Sequence, residues 1–159
     1  MNTERLTGNG NYFEDFHPGD VFEHARSKTM TEMDGVLICN LVMNTAQGHF
    51  NEHQMQGSPF GQRIVFGGVT ASLVIGLAMQ DTGENALAEL SMDKVRFRTP
   101  VFHGDTITAF TEVLEARDAG RPDAGEVRFR HWGTKHDGKV VFEGERVALI
   151  KKRSHWVKA

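Results

Sequence analysis

The stretch from Asn44 to Gly68 carries the residue types that could do chemistry. It is rich in Asn, Gln, Gly and His, and it separates two strongly apolar segments. Histidine is the side chain whose unperturbed pKa lies near neutral pH, so His49 could move a proton. Asn44 can orient a water molecule through its side-chain carbonyl oxygen, although an amide is not a base near neutral pH. Gly67 and Gly68 end the stretch where a helix is expected to begin, and they could equally be a plain helix-entry turn.

A metal site is the first alternative for this stretch. His49 and His53 lie four residues apart with Glu52 between them, a spacing that faintly resembles helical zinc motifs. We expect no helix at these residues, and the sequence offers no third ligand. The prediction is therefore that the chain holds no metal, and that His53 is a solvated loop residue.

Two apolar helices must position the stretch. Thr29 or Thr31 can cap a first helix, acidic residues suit its positive end, and it should run to about Met43. Because that helix is apolar nearly all round, we expect it to be largely buried. The second helix, Val69 to about Gln80, is also apolar on most of its surface and should be central. Between them, Asn44 to Phe66 is predicted to be a long ordered loop with at most one short helical turn.

The remaining apolar segments alternate with polar residues as strands do. The predicted strands are Val21–Lys28, Met92–Thr99, Thr106–Ala116, Glu126–Gly133 and Val140–Lys151. Consecutive strands joined by tight turns indicate an antiparallel sheet, with the second helix against one face. The predicted fold class is therefore α+β.

Four arginines alternate with apolar residues on two of the predicted strands: Arg96, Arg98, Arg128 and Arg130. They suggest a basic patch. The interpretation that we favour is a solvated sheet face on which these arginines pair with Glu143 and Glu145, as oppositely charged cross-strand neighbours do.

Composition limits the possible partners. The 159 residues are 39% hydrophobic and 25% charged, which fits one globular domain, and the net charge of −3 gives no reason to expect nucleic acid or an anionic membrane. Met1 to Asn11 is polar and is expected to be a flexible tail rather than a signal peptide. The longest apolar stretch, Val69 to Met79, is too short to span a bilayer. Cys39 cannot form an internal disulfide and should be a buried thiol, so we expect a cytoplasmic protein.

Three segments together resemble a known family: Thr29-x-Thr31-Glu32-x-Asp34, Asn44-(x4)-His49, and Phe60-Gly61-x-Arg63-Ile64-Val65-Phe66-Gly67-Gly68. They are similar to the MaoC-type dehydratases, hot-dog-fold enzymes related to (R)-specific enoyl-CoA hydratases. The family pattern is Gly-Asp-x-Asn-Pro-x-His followed by Phe-Gly-x-x-Ile-x-His-Gly. The resemblance covers nearly the whole chain. It implies a single hot-dog domain, in which an antiparallel sheet wraps around the Val69–Gln80 helix.

The resemblance also implies an activity, namely reversible hydration of an enoyl-CoA. His49 would transfer the proton, Asn44 would orient water, and the N–H groups of Gly67 and Gly68 would bind the thioester oxygen. CoA is then part of the substrate, and no metal or redox cofactor is implied. Similar proteins join their sheets, so the resemblance implies a homodimer or a dimer-based oligomer.

The chain departs from the family pattern at two positions. Asn44 stands where the family has its catalytic Asp, and Phe66 stands where the family has His before the glycine. Either His49 does the acid and base work with Asn44 as a positioner, or a nearby carboxylate such as Glu52 has taken over, with His53 and Asp34 as further candidates. A third option is that the site binds an acyl thioester with little chemistry.

The substrate is less closely defined. The Asn44-bearing version resembles the branch that acts on short branched or dicarboxylic acyl-CoAs, such as mesaconyl- or itaconyl-CoA. Arg63 is either a surface charge or a contact for a CoA phosphate or a second substrate carboxylate. A hot-dog thioesterase remains an alternative function, although Ile64 to Thr70 lacks the carboxylate that it would need. A non-catalytic acyl-CoA-binding protein is the other alternative.

Overall fold

The computed structural model describes residues 4–5 and 10–157. Within these ranges the strands are β1 (Glu4–Arg5), β2 (Val21–Thr29), β3 (Ala86–Phe97), β4 (Thr106–Asp118), β5 (Ala124–Lys135) and β6 (Val140–Lys151). The helices are α1 (Glu32–Leu41), α2 (Gln47–Phe50), α3 (Glu52–Gln56), α4 (Gly67–Thr82) and α5 (Arg153–Trp156). In this part of the chain no helix is long and apolar enough to cross a membrane. The tail expected at Met1 to Asn11 lies largely outside the described residues.

The strands form one sheet in the order β1-β2-β4-β5-β6-β3. All neighbours are antiparallel except β1, which runs parallel to β2. A tight turn at Asp137 and Gly138 joins β5 to β6, and the φ of +78° at Gly138 is one that glycine adopts without strain. The predicted antiparallel sheet is confirmed, and β3 forms one of its two edges.

Helix α4 lies across the inner face of the sheet and contacts β2, β4, β5 and β6. Its fully buried residues Val74 and Ala78 form the helix side of the core, together with Ile107 and Val141 of the sheet. Gly133 of β5 permits the close crossing, since a Cβ there would stand 2.4 Å from Cγ2 of Val74. The predicted central helix is confirmed.

Helix α1 begins where the sequence predicts. The Thr31 hydroxyl accepts the Asp34 N–H at 3.3 Å, and Asp34 Oδ2 accepts the Thr31 N–H at 2.8 Å, which makes a capping box. Hydrogen bonds from Lys28 and then Thr31 lower the pKa of Asp34 to about 2. The expectation of a largely buried helix is wrong for the single chain, because α1 packs only along one side and leaves Met33 73% exposed.

Two one-turn helices replace the long loop that was predicted between α1 and α4. Asn51 ends α2, and its side-chain oxygen accepts the Gln54 N–H at 2.9 Å, so that it also caps α3. The expectation of at most one helical turn is therefore wrong. Both helices are short and lie in a polar stretch, so the sequence shows no hydrophobic periodicity there. The pattern therefore indicated a loop.

The outer face of the sheet carries the arginines as predicted. Arg98 and Arg130 both pair with Glu143, and Arg128 pairs with Glu145 at 3.0 Å. The interpretation as a solvated, charge-paired face is confirmed for these three arginines.

A buried row of polar side chains crosses the inner face beneath the last turn of α4. His24 Nδ1 lies 2.6 Å from Asp81 Oδ2, and His24 Nε2 lies 2.7 Å from the Thr111 hydroxyl. That hydroxyl also lies 2.7 Å from His131 Nδ1. All four residues are at most 2% exposed. We name this row the buried polar row.

Candidate functional site

A cleft of about 440 Å³ opens at the N-terminus of α4. Its walls come from the α2 helix, the segment that enters α4, the segment after β3, and β6. The lining residues are His49, Ile64, Val65, Phe66, Gly67, Gly68, Thr70, Phe97, Arg98, Thr99, Pro100, Val101 and Val141. Three residues singled out from the sequence, His49, Gly67 and Gly68, therefore meet in one cleft.

The orientation of His49 leaves one ring nitrogen available. Nδ1 lies 2.9 Å from the carbonyl oxygen of Ile64. Because a carbonyl only accepts hydrogen bonds, Nδ1 carries the proton in the neutral ring and Nε2 carries a lone pair. The ring also packs against Phe66, with centroids 5.5 Å apart. His49 is thus held in the form that can accept a proton at Nε2.

The first turn of α4 supplies hydrogen-bond donors. Its first backbone bond within the described residues runs from the Val69 N–H to the Phe66 carbonyl at 2.9 Å. The N–H groups of Gly67 and Gly68 have no acceptor in the described part of the chain, as expected at a helix start. They add to the positive end of the helix dipole and can bind an oxygen that gains negative charge.

Both glycines let aromatic rings approach the helix start. A Cβ on Gly67 would stand 2.9 Å from the ring of Phe97, and a Cβ on Gly68 would stand 2.4 Å from the ring of Phe66. Any side chain at these positions would have to displace a ring that lines the cleft. The glycines therefore allow both rings to lie against the start of α4.

Asn44 has a backbone role. Its N–H donates to the Cys39 carbonyl at 2.9 Å, and its Oδ1 accepts the Ala46 N–H at 3.1 Å. This turn ends α1 and leads directly into the helix that carries His49. Asn44 itself is not among the residues that line the cleft.

Glu52 and Arg63 neutralise one another. Arg63 Nε donates to Glu52 at 2.9 Å, and Arg63 Nη2 donates to Glu32 at 2.5 Å. The hydrogen bond from Arg63 lowers the pKa of Glu52, so this carboxylate is a poorer base than a free one. With two carboxylates bound, the guanidinium fastens the α2–α3 segment to α1, and neither residue lines the cleft.

The two remaining auxiliary candidates also lie away from the cleft walls. His53 is exposed on α3, a different helix from that of His49, and Asp34 is held in the capping box of α1. In the ranges that the structure describes, no three His, Cys, Asp or Glu side chains are grouped so that they could hold a metal ion.

The wall formed by Phe97 to Val101 was missed by the sequence reasoning. The Val65 N–H donates to the Val101 carbonyl at 2.8 Å, and the Arg98 N–H donates to the Val141 carbonyl at 3.0 Å. These bonds fasten the segment after β3 to both sides of the cleft. Pro100 marks the end of the strand in the sequence, but no local pattern indicates which element this segment will face.

Comparison with known proteins gives a consistent picture. Residues 1–152 match the family described as mesaconyl-CoA hydratase. The chain is 33% identical to mesaconyl-CoA hydratase of Haloarcula marismortui, over 92% of this chain and 44% of that protein. It is 35% identical to β-methylmalyl-CoA dehydratase of Chloroflexus aurantiacus, over 80% of this chain and 36% of that protein. It is 34% identical to an (R)-specific enoyl-CoA hydratase of Rhodospirillum rubrum, over 89% of this chain and 93% of that protein.

Solved structures agree on the fold. A MaoC-domain dehydratase from Chloroflexus aurantiacus, described as putative, superposes with a TM-score of 0.84 at 31% identity, over 92% of this chain and 46% of that chain. A Mycobacterium tuberculosis protein with a double hot-dog fold superposes with a TM-score of 0.82 at 22% identity, over 98% of this chain and 48% of that chain. The predicted hot-dog fold is confirmed. The chain spans less than half the length of the first two curated relatives and of these two structures.

Proposed function

The chain belongs to the mesaconyl-CoA hydratase family, and on this premise we propose that it adds water reversibly across the α,β double bond of an enoyl-CoA thioester. The family membership agrees with the resemblance to MaoC-type dehydratases that the sequence indicated. The observation that carries the proposal is the meeting of His49 with the N–H groups of Gly67 and Gly68 in one cleft. The reverse reaction removes water from a 3-hydroxyacyl-CoA. CoA is part of the substrate, and the proposal invokes no metal or redox cofactor.

Each group has one task in the proposed reaction. The thioester oxygen accepts hydrogen bonds from the N–H groups of Gly67 and Gly68, which stabilise the negative charge that develops as water adds. His49 Nε2 takes one proton from the water, whose oxygen bonds to the β-carbon. The proton is then delivered from His49 to the α-carbon, so that the elements of one water molecule are added and the histidine returns to its neutral form.

The lining of the cleft favours hydration over thioester hydrolysis. A hot-dog thioesterase would need a carboxylate beside the thioester carbon, and none of the cleft-lining residues is acidic. The relatives whose names describe an activity on acyl-CoA are hydratases and dehydratases. Within that class, mesaconyl-CoA and other short branched or dicarboxylic enoyl-CoAs are the substrates that we propose.

Incubation with crotonyl-CoA and with mesaconyl-CoA tests the function. Loss of the enoyl absorbance without release of free thiol is the expected result. Release of thiol would show a thioesterase instead. Binding of either ester without turnover would show a non-catalytic acyl-CoA-binding protein.

We also propose that the chain forms a homodimer through the edge strand β3. A groove of about 600 Å³ lies between β3 and the exposed side of α4, where Ser72 and Gly76 are small. Leu90 and Met92 are 49% and 51% exposed along it. An open apolar strand edge favours pairing with another strand. The matched structures of about twice this length, one of them a double hot-dog, support a second copy as the occupant.

Replacing Leu90 with glutamate should convert the dimer to a monomer. The glutamate would be buried in the dimer without an opposite charge. The free-energy cost of that burial should exceed the free energy of association. Sedimentation velocity should give about twice 17.8 kDa for the unmodified chain and about that mass for the variant. Leu41→Glu is the control, since Leu41 is exposed on α1 away from the groove. A monomeric unmodified chain would contradict the proposal.

For Asn44 we propose a positioning role in the reaction. Asn44→Asp keeps an oxygen that can accept the Ala46 N–H, whereas Asn44→Ala loses it and loosens the entry to α2. We expect Asn44→Asp to keep kcat within about threefold and Asn44→Ala to lower it about tenfold, which corresponds to a loss of about 1.4 kcal/mol of transition-state stabilisation. Steady-state hydration assays measure both. A gain above tenfold in Asn44→Asp would show instead that the native site lacks a base.

The cytoplasm is the compartment that we propose. Cys39 is the one cysteine of the sequence and is 1% exposed. Burial raises the pKa of its thiol, which keeps the group protonated and unreactive. A free buried thiol suits a reducing compartment.

A further inference from the structure

The backbone of Ile64 holds the histidine of the cleft on both sides. Its carbonyl oxygen lies 2.9 Å from His49 Nδ1, and its N–H donates to the Gly48 carbonyl at 3.0 Å. The two bonds reach adjacent residues of α2, so the place of Ile64 determines where the imidazole lies and which ring nitrogen carries the proton. Whatever fixes Ile64 therefore also fixes the form of His49.

Arg63, the residue before Ile64, is held through its backbone as well as its side chain. Glu52 Oε2 accepts the Arg63 N–H at 3.3 Å and the Arg63 Nε–H at 2.9 Å. Nη2 of the same guanidinium donates to Glu32 at 2.5 Å, and the arginine side chain is only 13% exposed. Because one carboxylate oxygen binds both the main chain and the side chain of Arg63, it fixes the backbone that leads into Ile64.

The arginine lies between two carboxylates of like charge. Hydrogen bonds to Glu52 and then to Glu32 raise the pKa of the Arg63 guanidinium. Without it, the two carboxylates would repel one another, and the α2–α3 segment would lose its bond to the residue before Ile64. Glu32 and Glu52 are 66% and 46% exposed, and ion pairs of exposed groups add little to stability. The loss of the arginine should therefore alter the local geometry more than the overall fold.

We propose that the Glu52–Arg63 pair positions His49: it fixes Ile64, and Ile64 keeps the imidazole proton on Nδ1 and the lone pair on Nε2. This inference rests on the proposed hydratase function, in which Nε2 takes a proton from water. Both residues act through Ile64 and not by touching the substrate. Arg63 is therefore a positioning residue rather than a contact for CoA or a carboxylate, and Glu52 is its anchor rather than a base.

The tautomer of His49 can be measured in the protein without any substrate. NMR correlation of the ring nitrogens with the carbon-bound ring protons distinguishes Nδ1–H from Nε2–H, and His49→Gln identifies the signals of this ring. At about pH 8, where an ordinary imidazole is neutral, the unmodified protein should show the Nδ1–H form. Arg63→Met and Glu52→Ala should each show a mixture of the two tautomers. Arg117→Met is the matched control, an exposed arginine paired with Glu126 on the sheet, and it should change nothing.

Steady-state hydration of mesaconyl-CoA gives the second measurement. Arg63→Met should lower kcat at least about tenfold, since a displacement of about 1 Å in a reacting group can cost on the order of 10²-fold. KM should change less than about twofold, because neither residue of the pair lines the cleft. Glu52→Gln should keep kcat within about threefold, because its amide oxygen still accepts both donors of Arg63. The double variant Glu52→Ala, Arg63→Met should lose no more than the larger of the two single losses, as expected for residues that act as one unit.

An unchanged Nδ1–H ring in Arg63→Met would overturn the positioning role, as would an unchanged kcat. A raised KM with kcat kept would also overturn it, because the arginine would then bind the ester. If the tautomer changes in both variants while the unmodified protein hydrates no enoyl-CoA, the hydratase function fails and the positioning of His49 stands. If circular dichroism shows that Arg63→Met does not fold, Glu52→Ala, which keeps the bond between Arg63 and Glu32, is judged by the same two measurements.

Discussion

Replacing His49 with alanine should lower kcat for enoyl-CoA hydration by about 10²- to 10⁴-fold, the range that a positioned general acid–base group contributes. The reason lies in the fixed ring orientation. The Ile64 carbonyl holds the proton on Nδ1, so Nε2 is left with its lone pair in the cleft that also contains the donors of Gly67 and Gly68. Among the described residues, no other histidine and no acidic residue lines the cleft.

The matched control for this variant is His53→Ala. His53 lies four residues later on α3 and is exposed, so its loss should change kcat less than about twofold if only His49 carries the proton. Steady-state assays with mesaconyl-CoA measure both variants, and far-ultraviolet circular dichroism checks that each is folded. Retention of most of the activity in His49→Ala would remove the histidine from the reaction.

A change in KM would separate two explanations for the loss. If His49 only shaped the cleft, the alanine variant would bind substrate more weakly with a similar kcat. If His49 transfers the proton, kcat and kcat/KM should fall together while KM stays close to its original value. Because Phe66 packs on the ring of His49, binding by the cleft walls should survive the loss of the imidazole.

From the sequence we could predict those cleft residues that lie close together along the chain. His49 and the glycine pair were predicted from a spacing that resembles the MaoC-type dehydratases, and the structure places all three residues in one cleft. The wall formed by Phe97 to Val101 could not be assigned in this way. That the segment after β3 faces the start of α4 depends on packing between elements far apart in the sequence.

The same limit explains the error in α1. Its apolar composition is real, yet Leu41 and Met33 are each 73% exposed in the single chain. Composition indicates which residues are apolar, but it does not indicate which of them the rest of the chain will cover. The central helix was predicted correctly because strands of the same chain cover one side of α4.

The buried polar row was not predicted from the sequence, and it joins the last turn of α4 to the sheet. His24 and Asp81 are 57 residues apart, and neither belongs to a motif. Burial, followed by the charges of Arg146 and His24, lowers the pKa of His131, so the far end of the row is neutral at physiological pH. The Thr111 hydroxyl donates to one histidine and accepts from the other, which connects β2, β4 and β5 beneath the helix.

Replacing His24 with leucine should lower the free energy of unfolding by about 3–5 kcal/mol, the cost of leaving one member of a buried ion pair alone. Asp81 Oδ2 would lose the imidazole, and its Oδ1 already has no hydrogen-bond partner in the described residues. Urea unfolding followed by tryptophan fluorescence measures the loss, because Trp132 lies next to His131 on β5. All variants must be compared at one protein concentration, since association would stabilise the folded chain.

The double variant His24→Leu, Asp81→Leu separates charge from packing. Two apolar side chains of similar volume bury no charge, so the double variant should regain at least half of the stability that His24→Leu loses, although it carries one more substitution. Thr111 keeps its hydrogen bond to His131 in both variants, so this bond does not affect the difference in stability between them. A double variant as unstable as the sum of the single changes would mean that the shapes of the two side chains, rather than their charges, hold the end of α4 to the sheet.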